Sequence, residues 1–153
     1  MFLLELYKSL GNKTFDVIIS IGKEITLEWL GEIPSNVEVK NWINQIEILK
    51  RADVFISHCR MNSVNESLYF GVPLVTFPQY NEGGLVAKRV VDLGAGIPLK
   101  KNDPDLTNKV IQELLTNKSY KEKARKVEEG SRRSGGAKRA ANFILEVIDK
   151  EKN

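Results

Sequence analysis

The chain has 153 residues, a formal net charge of +3, and ordinary hydrophobic and charged fractions of 42% and 28%. This length is enough for one domain with a hydrophobic core, and the charge is too small to indicate a nucleic-acid or membrane partner. The single cysteine, Cys59, excludes an internal disulfide and favours a reducing compartment, so the predicted location is the cytoplasm. The first residues are too few and too charged for a signal peptide or a membrane span.

Predicted strands and helices alternate along the chain. Apolar residues at helical spacing predict a first helix over 2–10. Strands are predicted at 16–22, 37–42, 54–56, 74–77 and 97–99, and helices at 45–51, 63–70, 82–93, 103–115, 120–129 and 137–150. Residues 25–30 form a short helix or an excursion, and 130–136 a loop. The alternation predicts an α/β fold, a Rossmann-like doubly wound parallel sheet with ligands beyond the carboxyl ends of its strands.

The stretch 53–79 has the pattern strand, tight turn, helix, turn, strand. Asn62 and Ser63 are favourable helix-cap residues, and Glu66 follows Ser63 at the spacing of a capping box. Gly71 is predicted to end the helix. This arrangement puts backbone N–H groups and a positive dipole end at the carboxyl edge of the sheet, which favours an anion.

For each of three side chains near the predicted strand ends, the sequence leaves open a binding role and a structural role. Trp42 either stacks on a planar base, a contact worth roughly 1–3 kcal/mol, or plugs the sheet edge. Gln45 either hydrogen-bonds a base or ribose or is a polar residue at a helix start. His58, the only histidine, either donates to a phosphate or is structural.

The same choice applies to four polar side chains near predicted helix starts. Asn62 and Ser63 bind a phosphate, cap the helix, or do both. Glu66 binds two ribose hydroxyls or closes the capping box. Glu82 accepts hydrogen bonds from sugar hydroxyls or places a favourable charge at a helix N-terminus.

The basic segment 118–139 holds nine Lys or Arg residues against three Glu. Tyr120 is the aromatic residue within it, so the segment lacks the interleaved aromatics of many nucleic-acid surfaces. We interpret it as the solvated face of a helix pair.

The ordered motifs resemble the donor-binding half of UDP-glycosyltransferases, most closely the bacterial macrolide-type enzymes. The motifs are Trp42-Ile-Asn-Gln45, 48–58, Met61-Asn-Ser63, 66–73, Pro78-Gln79 and 135–141. The resemblance covers nearly the whole chain. It implies that residues 1–153 are one nucleotide-sugar donor-binding domain, the C-terminal half of a two-domain GT-B enzyme, with the N-terminal acceptor domain absent.

The resemblance also implies a role for each candidate side chain. Trp42 would stack on uracil, and Gln45 would contact uracil or ribose. His58, Asn62 and Ser63 would bind the diphosphate. Glu66 would hold the ribose hydroxyls, and Glu82 would hold the donor sugar. A base from the N-terminal half would activate the acceptor hydroxyl for hexose transfer, so no catalytic residue is expected in this chain. No cofactor is expected, because the UDP-sugar is itself the donor substrate. No metal is expected, because the resemblance implies a transfer that needs none and no carboxylate cluster in the sequence suggests one.

Four departures from the family pattern stand out. Cys59-Arg60 replaces a Gly-Gly pair, Gly83 replaces a Gln, and Asn44 replaces a Pro. A positive φ at Cys59 would cost roughly 1–2 kcal/mol, whereas Arg60 would add a charge near the diphosphate. The first strand of the domain is expected to precede residue 1, which would leave its neighbours unpaired.

Three functions are therefore compared. The chain is a UDP-sugar-dependent glycosyltransferase donor-binding domain that needs an acceptor half, a degenerate non-catalytic nucleotide-binding relative, or a UDP-sugar epimerase-like domain. The expected partners are UDP-sugar and either a separate acceptor-domain chain or a second copy of this chain. Neither nucleic acid nor a membrane is an expected partner.

Overall fold

Strands and helices alternate in the computed structural model, which describes residues 10–11, 13–23, 25 and 27–151. The strands are β1 (Val17–Ser20), β2 (Val37–Lys40), β3 (Phe55–Ser57), β4 (Leu74–Thr76) and β5 (Gly96–Pro98). The helices are α1 (Gln45–Leu49), α2 (Met61–Tyr69), α3 (Asn81–Asp92), α4 (Pro104–Thr116), α5 (Lys118–Arg133) and α6 (Gly136–Glu151), with a 3-10 helix at Leu27–Leu30. Apart from Leu10, the helix predicted over 2–10 lies outside the described residues.

Most predicted elements are confirmed with small shifts at their ends, but the predicted loop over 130–136 is wrong. Helix α5 continues to Arg133, and a short break at Ser134 and Gly135 separates it from α6. Arg132 donates to Glu128 one turn earlier at 3.0 Å, a contact of the kind that stabilises a helix by roughly 0.2–0.5 kcal/mol.

Every observed strand pair is parallel, and the strands form two sheets. β1 pairs with β2, with Val17 opposite Val37, and the second sheet has the order β3-β4-β5, with Phe55 opposite Leu74. Within the described residues no strand joins β1 to β3.

Helices cover both faces of the three-stranded sheet. Adjacent residues of β4 point to opposite faces: Leu74 packs with α2, α3 and α5 residues, and Val75 packs with α4 residues. Both side chains are fully buried. The doubly wound arrangement predicted from the alternation of elements is therefore confirmed for this sheet.

Specific residues hold the ends of the helices where the chain passes between helix and strand. Gly71 has φ +63° after α2, and Ser67 donates its hydroxyl to the Val72 carbonyl at 2.9 Å. Asp103 caps α4 by accepting from the Leu106 N–H at 3.0 Å, a bond worth about 1 kcal/mol. In the described part of the chain, no helix has both the length and the apolar composition needed to cross a bilayer.

Candidate functional site

The turn between β3 and α2 holds a left-handed residue. Cys59 has φ +68° and is almost completely buried, and its N–H donates to the Ser57 hydroxyl at 3.0 Å. The conformation costs about 1–2 kcal/mol for a residue with a Cβ. Packing of the thiol among Val64 and Leu68 offsets this strain. Burial also raises the pKa of the Cys59 thiol, which keeps it protonated.

Helix α2 begins earlier than the capping pattern predicted. Its N-cap residue is Arg60, which makes no side-chain cap bond, so Asn62 and Ser63 lie inside the first turn. The predicted capping role of Asn62 and Ser63 and the predicted Ser63–Glu66 capping box are therefore wrong. The early start leaves the N-terminal amides of the helix, with the positive end of its dipole, without a side-chain cap at the carboxyl edge of β3.

Gln45 and Glu66 are joined across two helices. Asn44 caps α1 by accepting from the Glu47 N–H at 3.4 Å, and the adjacent Gln45 donates from Nε2 to Glu66 Oε2 at 2.6 Å. A bond to a carboxylate is stronger than a neutral one. The two side chains that were predicted to contact a base or ribose, Gln45 and Glu66, are thus brought together at one edge of the sheet.

His58 lies at the end of β3, directly before the strained turn. Desolvation lowers its pKa, and the nearby Arg60 guanidinium lowers it further. The imidazole is therefore mainly neutral at pH 7 and can donate one hydrogen bond. Arg60 itself lies near Tyr80, with the guanidinium carbon 6.0 Å from the ring centroid.

The start of α3 packs against the His58 turn. A Cβ added at Gly83 would lie 3.2 Å from the His58 carbonyl oxygen and 3.3 Å from Pro78 Cβ. The glycine that departs from the family pattern therefore permits the first turn of α3 to approach the His58 turn closely. The neighbouring Glu82 is exposed in the first turn of α3, as predicted.

Trp42 follows β2 and is 71% exposed. The neighbouring Asn41 donates to the carbonyl oxygens of Gly22 and Ile25, both at 3.0 Å, and so ties the segment after β1 to the end of β2. An indole this exposed does not plug the sheet edge, so the structural alternative for Trp42 is wrong. Its ring is available to stack on a ligand.

A cavity of about 1140 Å³ is lined by only some of the predicted site residues. Its lining includes Gln45, His58 and Ser63, together with Gln79, which follows β4. The predicted residues outside this lining are Trp42, Asn62, Glu66 and Glu82. Glu66 is nevertheless bonded to the lining residue Gln45, and the Gly83 contact brings the start of α3 to the turn.

Two residues that support the site were not singled out from the sequence. Ser57 holds the strained turn by accepting from the Cys59 N–H, and Asn41 anchors the loop before Trp42. A small polar residue at a strand end is the signal that could have indicated Ser57. Over the residues that the structure describes, no group of three or more His, Cys, Asp or Glu is arranged to hold a metal ion.

Comparisons with known proteins agree on one family. Residues 5–136 match the model described as erythromycin biosynthesis protein CIII-like, C-terminal domain. The chain is 43% identical over 140 residues to YojK of Bacillus subtilis (strain 168), described as an uncharacterised UDP-glucosyltransferase; the match covers 89% of this chain and 35% of YojK.

Solved structures show the same architecture. The calicheamicin glycosyltransferase CalG4 superposes with a TM-score of 0.92 at 26% identity, covering 99% of this chain and 40% of that chain. The glycotransferase of kitacinnamycin gives a TM-score of 0.82 at 33% identity, covering 94% and 37%. The predicted GT-B half is confirmed, and the chain spans little more than a third of these relatives.

Proposed function

Because this chain belongs to the family of erythromycin biosynthesis protein CIII-like C-terminal domains, we propose that residues 1–153 form the donor-binding domain of a UDP-sugar-dependent glycosyltransferase. The observation that carries the proposal is the convergence of His58, Ser63 and the Gln45–Glu66 pair around the start of α2. The name of YojK as a UDP-glucosyltransferase supports UDP as the nucleotide. The buried free thiol of Cys59 supports a reducing, cytoplasmic location.

The start of α2 is the proposed diphosphate site. Phosphate oxygens accept hydrogen bonds from the first-turn backbone amides and from the Ser63 hydroxyl. The side-chain amide of Asn62 donates a further hydrogen bond from the solvent side. His58 donates from its neutral imidazole. As the glycosidic bond to the diphosphate breaks, negative charge grows on the departing UDP, and these donors stabilise it most strongly at that stage.

The nucleoside and sugar occupy positions on either side of the diphosphate. Uracil stacks on the exposed Trp42, and Gln45 hydrogen-bonds the base or ribose. Glu66 accepts from the ribose hydroxyls with the carboxylate that Gln45 already orients. Glu82, on the helix that packs against the His58 turn, accepts from hydroxyls of the donor sugar.

We further propose that hexose transfer requires an acceptor half carried by the polypeptide or by a separate chain. That half supplies the base for the acceptor hydroxyl of a small molecule. The residues at this edge bind the donor and stabilise the leaving group. A protein consisting of residues 1–153 is therefore expected to form no glycoside from UDP-glucose and a phenolic acceptor.

Calorimetry of the folded chain with UDP and with uridine tests the donor site. We expect UDP to bind with a Kd below about 1 mM, which corresponds to roughly 4 kcal/mol. Ser63→Ala should weaken UDP several-fold and leave uridine unchanged, because only UDP carries the diphosphate. Gln112→Ala, on the exposed face of α4, is the matched control. No heat or NMR signal change with several millimolar UDP would refute the proposal.

A further inference from the structure

Helix α6 carries a broad apolar face that is open to solvent. Residues 136–150 are all exposed, and no α6 residue belongs to a hydrophobic cluster of the described structure. The large side chains of this face are 42–65% exposed: Phe143, Ile144, Leu145, Val147 and Ile148. We propose that two copies of this chain associate through α6, with the two helices packed antiparallel about a two-fold axis. This inference is independent of nucleotide binding.

The apolar residues of α6 lie on one side of the helix. At 3.6 residues per turn, Ala140, Ile144 and Ile148 follow one another along the middle of this side, with Phe143 and Leu145 toward its two edges. Most of the stability of a helix in a protein comes from packing such a face against a neighbour. The exposed face of α6 therefore indicates a surface that covers it.

The sizes of the side chains along this face match a reversed copy of the same helix. The apolar residues of the first half are small, Ala137, Ala140 and Ala141, and those of the second half are large. Antiparallel pairing centred between residues 143 and 144 sets Ala140 opposite Val147 of the second copy, so small side chains meet large ones. Parallel pairing would set alanine against alanine and leave a gap along half of the contact.

The charges of α6 are also complementary to a reversed copy. Residues 136–143 hold two positive charges, whereas residues 144–151 hold three negative charges and one positive charge. Lys138 and Asp149 are eleven residues apart, which is about three helical turns, so they lie along the same flank of the apolar face. In the antiparallel pair each Lys138 lies opposite Asp149 of the other copy. This self-complementary pattern is the reason to assign a second copy as the occupant.

The exposed area is enough for a weak dimer. The five large side chains leave roughly 450 Å² open on each copy, so a symmetric contact covers about 900 Å² in total. The alanines and the aliphatic parts of Lys138 and Arg139 bring the area to about 1,000 Å², the lower limit for a specific interface. We therefore expect a reversible dimer with a Kd on the order of 20 μM.

Sedimentation equilibrium of the whole chain, between about 2 and 200 μM, measures this association. Ile144→Asp places a charge in the middle of the contact and should raise the dimer Kd at least tenfold. Asn142→Asp introduces the same side chain on the opposite side of α6 and is the matched control. We expect the control to stay within about twofold of the parent chain.

Cysteine cross-linking tests the direction of the pairing. Antiparallel packing brings the Cα atoms of residue 144 in the two copies to about 6 Å, within reach of a disulfide, and holds those of residue 137 about 20 Å apart. With oxidised glutathione, Ile144→Cys should form at least about tenfold more covalent dimer than Ala137→Cys. The native Cys59 is buried and does not compete.

Charge reversal tests the predicted contact between Lys138 and Asp149. Lys138→Glu and Asp149→Lys each set like charges opposite one another, so each should raise the dimer Kd several-fold at low salt. The double variant restores opposite charges and should return to within about twofold of the parent chain. The single variants should differ less from the parent chain in 1 M salt, where the Debye length is about 3 Å.

Four results would overturn the inference. The first is a chain that remains monomeric at about 200 μM, which would leave the α6 face for another partner, such as an acceptor half. The second is a dimer that Ile144→Asp leaves intact. The third is equal cross-linking at residues 137 and 144, and the fourth is a charge-reversed double variant as weak as the single ones. Because cross-linking and charge reversal are read on other variants, misfolding of Ile144→Asp would not decide the question.

Discussion

Gln45 Nε2 donates a 2.6 Å hydrogen bond to Glu66 Oε2, and this bond links the first residue of α1 to α2. The two residues are 21 positions apart and belong to different crossovers of the fold. The Glu66 carboxylate is therefore directed toward α1, and the capping box suggested by the sequence is not formed. The bond orients a carboxylate beside the cavity that His58 and Ser63 also line.

Glu66→Gln is expected to raise the Kd for UDP about tenfold. The substitution keeps the shape of the side chain and removes the charge that strengthens its bonds to ribose hydroxyls. Titration with UDP and with 2′-deoxy-UDP measures the effect, and the deoxy analogue should respond less. Glu47→Gln, on the exposed face of α1, is the control. Equal weakening of both nucleotides would show that Glu66 positions Gln45 without contacting the ribose.

The pKa of the His58 imidazole is expected to rise when UDP-glucose binds. Desolvation, and then Arg60, lower its pKa below 6.5 in the free chain. The diphosphate charge favours the imidazolium, so the pKa rises in the complex. By linkage, affinity increases as the pH falls through the interval between the two pKa values.

NMR titration of this one imidazole measures both pKa values. UDP-glucose is the suitable ligand because its diphosphate is esterified at both ends and keeps its charge over this pH range. Arg60→Gln should raise the pKa of His58 in the free chain. An unchanged pKa in the presence of saturating UDP-glucose would contradict contact between His58 and the diphosphate.

Cys59→Gly is expected to be more stable than Cys59→Ala by about 1 kcal/mol. Both variants lose the thiol, but only glycine adopts φ +68° without a Cβ penalty. Urea denaturation measures the difference. Lys126, exposed within α5, provides the comparison, since glycine should there be less stable than alanine by about 1 kcal/mol. The same ranking at both positions would contradict a left-handed Cys59.

Gly83→Ala and Gly84→Ala form a matched pair in the first turns of α3. A Cβ at Gly84 meets nothing within 4 Å, so we expect that variant to gain about 0.5 kcal/mol from helix propensity. A Cβ at Gly83 would come within 3.2 Å of the His58 carbonyl oxygen, so Gly83→Ala should not show this gain in stability. Gly83→Ala should also weaken UDP-glucose binding several-fold because it displaces the His58 turn. Equal stability and binding of the two variants would argue against this packing.

The sequence predicted the elements and the edge of the sheet that carries the polar residues. Apolar runs and helical periodicity are local signals, and they located β4, α3 and α4 to within a few residues. Gly71 follows the end of α2, as predicted, and α4 starts within one residue of the predicted position 103. The ordered motifs from Trp42 to Gln79 were sufficient to identify the family, because they combine many local constraints.

Only the tertiary structure decided how these residues meet. Helix α2 starts at Met61 because Cys59 accepts a left-handed conformation stabilised by Ser57 and by core packing, which no local pattern discloses. The bond between Gln45 and Glu66 depends on two crossovers that end at one edge. The division into two sheets depends on strand neighbours that are distant in the chain. Pairing between distant segments, unlike helix periodicity, leaves no signal within a single short window of sequence.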